Sequence, residues 1–522
     1  SYIMNFMKNT PYMTAEYEHE IDVKIVEFIT LDMVNQMTKE RLRPVNEIVL
    51  VSAPEKEGAT VPTSEQLLGV MQAVHTAELE APVDNTITEP PIPEGTVFKG
   101  SKVKKETTDK FGSTVWQLKN GVKVVVKSTD FKADEILLRI NSAGGHSVLS
   151  TEEVMTATNL PGYISQAGVG NFNASDLRKL LTGKAVSVRP TIGAYSNGFS
   201  GSASPKDLET LMQLTYMYFT APRFDKADFD VMIDRMKAQY ANVGSNPMFV
   251  LNDTLMNVLY GHDPRREMLT LERIDKIDYA KMEPIYNKLY SNADDFTFTF
   301  VGNINLDELK PLVEKYLGSL PKTKQKFSWK DDGVRFAKGN VTTEFKVPMQ
   351  MPKTRVFYAL TGDIPYSLKT EIELSALAQI LDIRYIESIR EEKGGTYGVQ
   401  TGVEASYVPV PDYMLMITFD TDPAMADELM EIIFEELDKI AVEGAREDDL
   451  NTIKEFYAKQ HTDDLKQNSH WLNVIGGYHL HGYDLNSGYM DIVNAMTPDT
   501  IRNLTAKILA DGNVVKIVMS NE

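Results

Sequence analysis

Three copies of one local pattern set the terms on which this 522-residue chain folds. They are residues 29–52 (ITLDMVNQMTKERLRPVNEIVLVS), 274–302 (IDKIDYAKMEPIYNKLYSNADDFTFTFVG) and 496–520 (MTPDTIRNLTAKILADGNVVKIVMS). Each opens on a polar residue (Thr30, Asp278, Thr497), runs through an amphipathic helix and closes on a strand ending in a small residue. Such residues suit helix starts because their side chains accept from N–H groups that the first turn leaves unpaired. The second and third copies each close a long stretch of mixed strand and helix character. The first closes almost nothing. The spacing therefore predicts two complete αβ modules preceded by the tail of a third, whose body would lie before Ser1. More than one core is expected in any case, because single cores stop growing near ~250–300 residues.

Residues 1–57 read as that tail, and 58–110 as a linker. Within the linker, SAPEKEGATVPTSEQL and APVDNTITEPPIPEGTVFKG are rich in Pro, Thr and Glu, which suits an exposed connector, with one helix between them. The first module, 111–325, holds two alternating runs around Asn120-Gly121, a strong hairpin signal. A strand DEILLRINSAGG, a helix from Thr151, strands in KAVSVRPTIGAYSNGFSGSAS and helices from Pro205 to about Asn242 follow. The second module, 326–522, reads as a strand TRVFYALTG, a helix over 370–392, a strand YMLMITFD and helices near 423–441 and 446–482. Strands with helices packed on one side predict an α+β architecture, two tandem modules of mixed or antiparallel sheet.

The chemistry concentrates in residues 384–403, RYIESIREEKGGTYGVQTGV. Leu374, Leu377, Leu381 and Tyr385 recur at helical spacing, and Ile386 and Ile389 carry the apolar surface on to Arg390. Gly394-Gly395 stops the helix, since glycine enters a left-handed cap without a Cβ clash. Tyr397, Val399, Thr401 and Val403 then alternate as in a strand with one packed face. This turn directs a permanent cation and a neutral phenol donor towards one point. On residue types alone, a cation near a helix C-terminus, worth ~1 kcal/mol at most, explains Arg390 equally well.

The run REEKGGTYGV, however, resembles the Arg/Tyr signature in the last module of the pitrilysin family of zinc peptidases, which includes the insulin-degrading enzyme and the mitochondrial processing peptidases. The order of strands and helices resembles that family over nearly the whole chain. The resemblance implies a zinc metalloendopeptidase that closes as a clamshell on a peptide substrate. It implies that Arg390 and Tyr397 are the catalytic residues here, an oxyanion clamp reaching towards a zinc held by another module. Zinc and the general base would come from the amino-terminal half of the same polypeptide, so this chain alone would be inactive. The alternative is a non-catalytic peptide-binding or scaffold subunit on the same fold.

The family's zinc motif is H-x-x-E-H. None of the eight histidines satisfies it. His19 in YEHEID has the wrong spacing, and no second His follows His146 in GGHSVLSTEEV. Glu152 and Glu153 read as the first turn of a helix, and the i,i+2 pair His479/His481 as part of a strand or turn. No metal ligand is assigned within the chain. The absence of cysteine excludes thiolate metal sites and disulfides. A net charge of −20 argues against nucleic acid as a partner, and no run approaches the ~20 apolar residues of a membrane span. GVGNFNAS lacks the third glycine of a dinucleotide loop, and GFSGSAS is not a nucleophile elbow.

Overall fold

The computed structural model describes residues 2–42, 45–53, 60–78, 87, 89–323, 326–349, 351, 353–391, 393 and 398–522. The chain forms two compact units, Ser1–Asn85 and Thr86–Glu522. In the first, helices span Tyr2–Lys8, Ala15–Phe28, Leu31–Arg41 and Ser64–Thr76, and none buries a residue. Thr30 caps the third helix by accepting from the Met33 N–H, as the repeat predicts. The strand predicted after it does not form: residues 45–53 carry none, and Ile48 and Leu50 are 94% and 90% exposed. A strand needs ladder partners for its backbone groups, and no described strand of this unit supplies them.

The second unit begins with a seven-stranded sheet of β1 (Val103–Thr108), β2 (Thr114–Leu118), β3 (Lys123–Ser128), β4 (Ile136–Ala143), β5 (Val186–Ile192), β6 (Ser196–Ala203) and β7 (Thr297–Gly302). Its main helices are α1 (Thr151–Ala167), α2 (Leu208–Thr220), α3 (Lys226–Tyr240), α4 (Pro247–Leu259) and α5 (Tyr279–Tyr290). A five-stranded sheet follows, of β8 (Asn340–Val347), β9 (Thr354–Asp363), β10 (Val399–Ser406), β11 (Asp412–Thr421) and β12 (Asn513–Asn521). Its helices are α6 (Leu368–Tyr385), α7 (Ala426–Glu443), α8 (Glu447–Asp464), α9 (Asn468–His481) and α10 (Pro498–Asp511).

The two sheets repeat one topology. The order β3-β7-β4-β6-β5 in the first matches β8-β12-β9-β11-β10 in the second. The outer pairs β3/β7 and β8/β12 are parallel, and every other pair in these runs is antiparallel. Asp278 and Thr497 cap the closing helices α5 and α10 at equivalent places. The fold is α+β, in two tandem modules. Two strands escape the sequence reading. β1 lies inside the stretch expected as linker, and β8 is absent from the predicted set. β1 (VKKETT) is largely exposed and β8 (NVTTEFKV) buries only its last residue, so pairing with β2 and β12, rather than an apolar pattern, makes them strands.

Each module packs its helices on one face of its sheet, and the opposite face receives a helix from the other module. Leu472, Val474 and Ile475 of α9 lie against Val125 and Val301 of the first sheet. Reciprocally, Leu251, Val258 and Leu259 of α4 lie against Phe357, Val515 and Ile517 of the second. α4 and α9 hold equivalent positions in the two copies, so the exchange is symmetric. Asn468, at the start of α9, donates to Glu135 Oε2 at 2.9 Å and accepts from Thr129 Oγ1 at 2.6 Å. The strand or turn expected around His479 and His481 is instead the last turn of α9. His479 Nε2 lies 3.0 Å from Asp109 Oδ2, and Gly482 closes the helix in a left-handed conformation.

Candidate functional site

The site is built on α6. Ser367 caps this helix by accepting from the Thr370 N–H. Leu374, Leu377, Leu381 and Tyr385 are all buried, as their spacing predicts, and Ile372 and Ile380 are buried as well. α6 is apolar on more than one face because it runs between β10 and the helices α7, α8 and α10. The Tyr385 hydroxyl donates to Ile433 O at 3.1 Å. Beyond Tyr385 the predicted α-helix gives way to a π-helical segment, Ile386–Glu391. Such wide turns are rare and recur at functional sites. Ile389 is fully buried beneath it, and Arg390 is exposed. Tyr397 and Gly394-Gly395 lie outside the described residues.

Around Arg390 the other cations are engaged. Arg446 Nη1 lies 2.7 Å from Glu387 Oε2, and its Nε lies 2.7 Å from Asp449 Oδ2. Lys439 pairs with Glu436 at 2.8 Å, and Lys393 with Glu428 at 2.7 Å. Arg384 sits between Glu436 (4.0 Å) and Asp449 (3.6 Å), a charge contact too long for hydrogen bonds. The Arg446 guanidinium holds the Glu387 carboxyl below its ordinary range, with burial opposing. Among the described residues Arg390 alone of this group makes no ion pair. Its neighbours fix the turn, and its own charge faces solvent.

A second tie joins α6 to β10. Asp382 Oδ1 accepts from the Thr401 N–H at 3.1 Å and lies 2.6 Å from the Thr401 hydroxyl. Burial pushes the Asp382 carboxyl up, while these bonds pull it down. A cavity of about 390 Å³ opens beside the turn, between Ser388 and Lys393 on one side and Glu428, Glu431, Glu435 and Lys439 of α7 on the other. The sequence reading located Arg390 and the helix beneath it. It missed Glu387, Glu436, Arg446 and Asp449. Only the i,i+3 spacing of Arg446 and Asp449 at the start of α8 carries a local signal for them.

At the far end of β10, Asp412 is registered opposite Ser406 of β10 and Asp363 of β9. Burial, then the Asp363 and Glu404 charges, push Asp412 from 3.8 up to about 6, with Arg335 and Lys338 opposing. Because the folded carboxyl titrates above the unfolded one, the native state holds the extra proton between those values. Stability falls as pH rises through that window, and the full penalty stands above about 6. Asp412→Asn is therefore expected to raise Tm at pH 7 and to lose that advantage by pH 4. A Tm difference that stays constant with pH would refute the assignment.

Among the described residues, the histidines and carboxylates singled out in the sequence are engaged otherwise than as zinc ligands. His146 is 7% exposed, its Nδ1 has no partner, and burial with the nearby Arg266 and Arg265 charges lowers its pKa to about 4. Two nearby guanidiniums oppose a dication there. Glu153 is used in a capping box with Ser150, and His481 packs against the Tyr407 ring. Among the described residues no group of three or more His, Asp or Glu side chains is placed to hold a metal ion. Nor is any described helix long and apolar enough to cross a membrane. The GVGNFNAS stretch is a tight bridge between Val169 and Phe172 followed by the Asn173 cap of a short helix, and GFSGSAS lies in β6.

The sequence and the fold both have known relatives. Residues 276–457 match the peptidase M16 inactive domain. A zinc protease PQQL-like protein of Arabidopsis thaliana is 23% identical over 537 residues, covering 97% of this chain and 53% of that protein. The crystal structure of the periplasmic protease PqqL of Escherichia coli superposes with a TM-score of 0.74 at 18% identity, covering 100% of this chain and 57% of that one. A peptidase M16 inactive domain from Pseudomonas fluorescens gives a TM-score of 0.65 at 18% identity, over 78% of this chain and 98% of that domain. The chain thus spans about half the length of its full-length relatives. It carries a peptidase M16 inactive-domain sequence across the junction of its two modules, and its tandem α+β fold is that of the solved M16 peptidase structures.

Proposed function

We propose that this chain is the carboxy-terminal part of a zinc metalloendopeptidase and that it supplies the oxyanion-stabilising side chains Arg390 and Tyr397 to a peptide-cleaving chamber. Zinc and the general base are assigned to the amino-terminal half of the same polypeptide. The observation that carries this reading is the state of Arg390. Among the described residues it makes no ion pair in a cluster whose other cations meet carboxylates, and it stands on a π-helical turn anchored by Ile389 below and by the Glu387–Arg446 pair beside it. A guanidinium on a turn so anchored, with no ion pair among the described residues, has donors to offer to negative charge developing on a carbonyl oxygen. The zinc protease names of the relatives support the same reaction class.

The chain and its amino-terminal half, produced separately, provide the test. This chain alone is expected to retain no stoichiometric zinc after dialysis and to leave a fluorogenic peptide uncut. Mixing it with the zinc-loaded amino-terminal half is expected to restore chelator-sensitive cleavage. One zinc held per chain with cleavage by this chain alone would overturn the proposal. Full turnover by the amino-terminal half alone would do so too, leaving this chain as a scaffold.

A further inference from the structure

Ion pairs within a helix form between residues three or four apart. At those distances from Arg390 stand Ile386, Glu387, Lys393 and Gly394, so Glu387 is the one carboxylate spaced to neutralise it within the same turn. Arg390 nonetheless makes no ion pair among the described residues. The Glu387 carboxylate is taken by a cation from outside the turn: Arg446 Nη1 lies 2.7 Å from Glu387 Oε2.

Geometry sets the competition between the two guanidiniums. The π-helical segment Ile386–Glu391 takes more residues per revolution than an α-helix, so side chains three apart stand further round from each other. Arg446, at the start of α8, is aimed by Asp449 one turn on, whose Oδ2 lies 2.7 Å from Arg446 Nε. Its planar fork therefore spans two carboxylates at once, one on its own helix and one on the turn. The same guanidinium is the main cause that holds the Glu387 carboxyl below its ordinary range. Arg384 also acts on Glu387 but is drawn between Glu436 and Asp449. Without Arg446, Arg390 is the nearest cation along the turn left to meet Glu387.

We infer that Arg446 is a positioning residue that withholds Glu387 from Arg390, so that the Arg390 guanidinium stays open to an incoming acceptor oxygen. The part of this inference that concerns turnover rests on the proposed role of Arg390; the competition for Glu387 does not. Arg446 and Glu387 are 40% and 45% exposed, and an exposed pair shifts an equilibrium by up to about fivefold. Loss of Arg446 is therefore expected to close Arg390 in part, a smaller effect than removing Arg390 itself.

The test is Arg446→Met, which removes the charge and keeps the stem, beside Arg446→Lys and the double variant Arg446→Met/Glu387→Gln. In the 522-residue chain, phenylglyoxal modification of Arg390, followed by mass spectrometry, is expected to slow about two- to fivefold in Arg446→Met. Adding Glu387→Gln removes the competing carboxylate and is expected to restore the rate, and Arg446→Lys to keep it near the unaltered value. Salt screens an exposed pair, so the slowing should shrink at high ionic strength. In the full-length enzyme kcat is expected to follow the same order, with KM nearly constant. A purely structural loss would be deepened, not reversed, by the second substitution. Unslowed modification in Arg446→Met, or slowing that Glu387→Gln leaves in place, would overturn the inference. Slowed and restored modification with kcat unaltered in every variant would instead end the catalytic role of Arg390 and leave the competition for Glu387 standing.

Discussion

Arg390→Ala in the full-length enzyme is expected to lower kcat by ~10²–10³ and to leave the unfolding midpoint nearly unchanged. The two readouts separate because Arg390 is exposed and makes no ion pair among the described residues, so little of the fold depends on it. A cation that merely favoured the end of a helix would contribute ~1 kcal/mol of stability and nothing to turnover. Arg390→Lys keeps the charge and loses the planar fork, and is expected to impair turnover as well. Tyr397→Phe removes one hydroxyl while keeping the ring, and is expected to reduce kcat on the same scale as Arg390→Ala. The double variant should fall short of the summed losses, because two groups acting on one developing charge behave as a unit. KM should move less than kcat, since the contact strengthens in the transition state. Stopped kinetics beside denaturation midpoints provide the measurement. Wild-type kcat in a stably folded Tyr397→Phe enzyme would end the clamp assignment.

Ile475→Ala is expected to destabilise the chain by ~2–5 kcal/mol, the range for truncating a fully buried aliphatic side chain. Ile475 lies on α9, a helix of the second module, yet its apolar neighbours include Val125 and Val301 on the sheet of the first. The cavity therefore opens between modules, and the effect should appear far away in sequence. Hydrogen exchange at Val125 and Val301 should accelerate in the variant, and calorimetry should show the two modules unfolding less cooperatively. Ile475→Val removes one methylene and should cost only ~0.5–1.5 kcal/mol. A loss confined to the second module, with exchange in β3 and β7 unaltered, would show that the exchanged helices do not couple the two sheets.

The polar support around Arg390 has the character of a positioning shell. Arg446 holds Glu387 on the turn and Asp449 on its own helix, and Glu436 gathers Lys439 and Arg384. Each surface pair of this kind contributes little by itself, ~0–1 kcal/mol. Their joint effect is geometric: every neighbouring cation is neutralised, and the turn is tied at several points. Among the described residues this leaves Arg390 as the cation of the cluster without an ion pair.

What the sequence determined by itself follows from local chemistry. The capping roles of Thr30, Asp278 and Thr497 were legible because an N-cap is a contact over two or three residues. The burial of Leu374, Leu377, Leu381 and Tyr385 was legible from their period, and so was the arrival of Arg390 at the end of that helix. The Asn120-Gly121 hairpin and the doubled module order were legible for the same reason. Tertiary structure decided everything that depends on a partner distant in the chain. Apolar spacing states that α4 and α9 bury a face, but not that each buries it against the other module's sheet. β1 and β8 carry too few apolar residues to declare themselves and exist through pairing with β2 and β12. The segment after Tyr385 has an ordinary helical pattern, and its widening into a π-helix, with Ile389 held inside and Arg390 outside, emerges only where α6 meets its neighbouring elements. A sequence encodes which groups must leave water; the partner they leave it for is settled by how the rest of the chain closes around them.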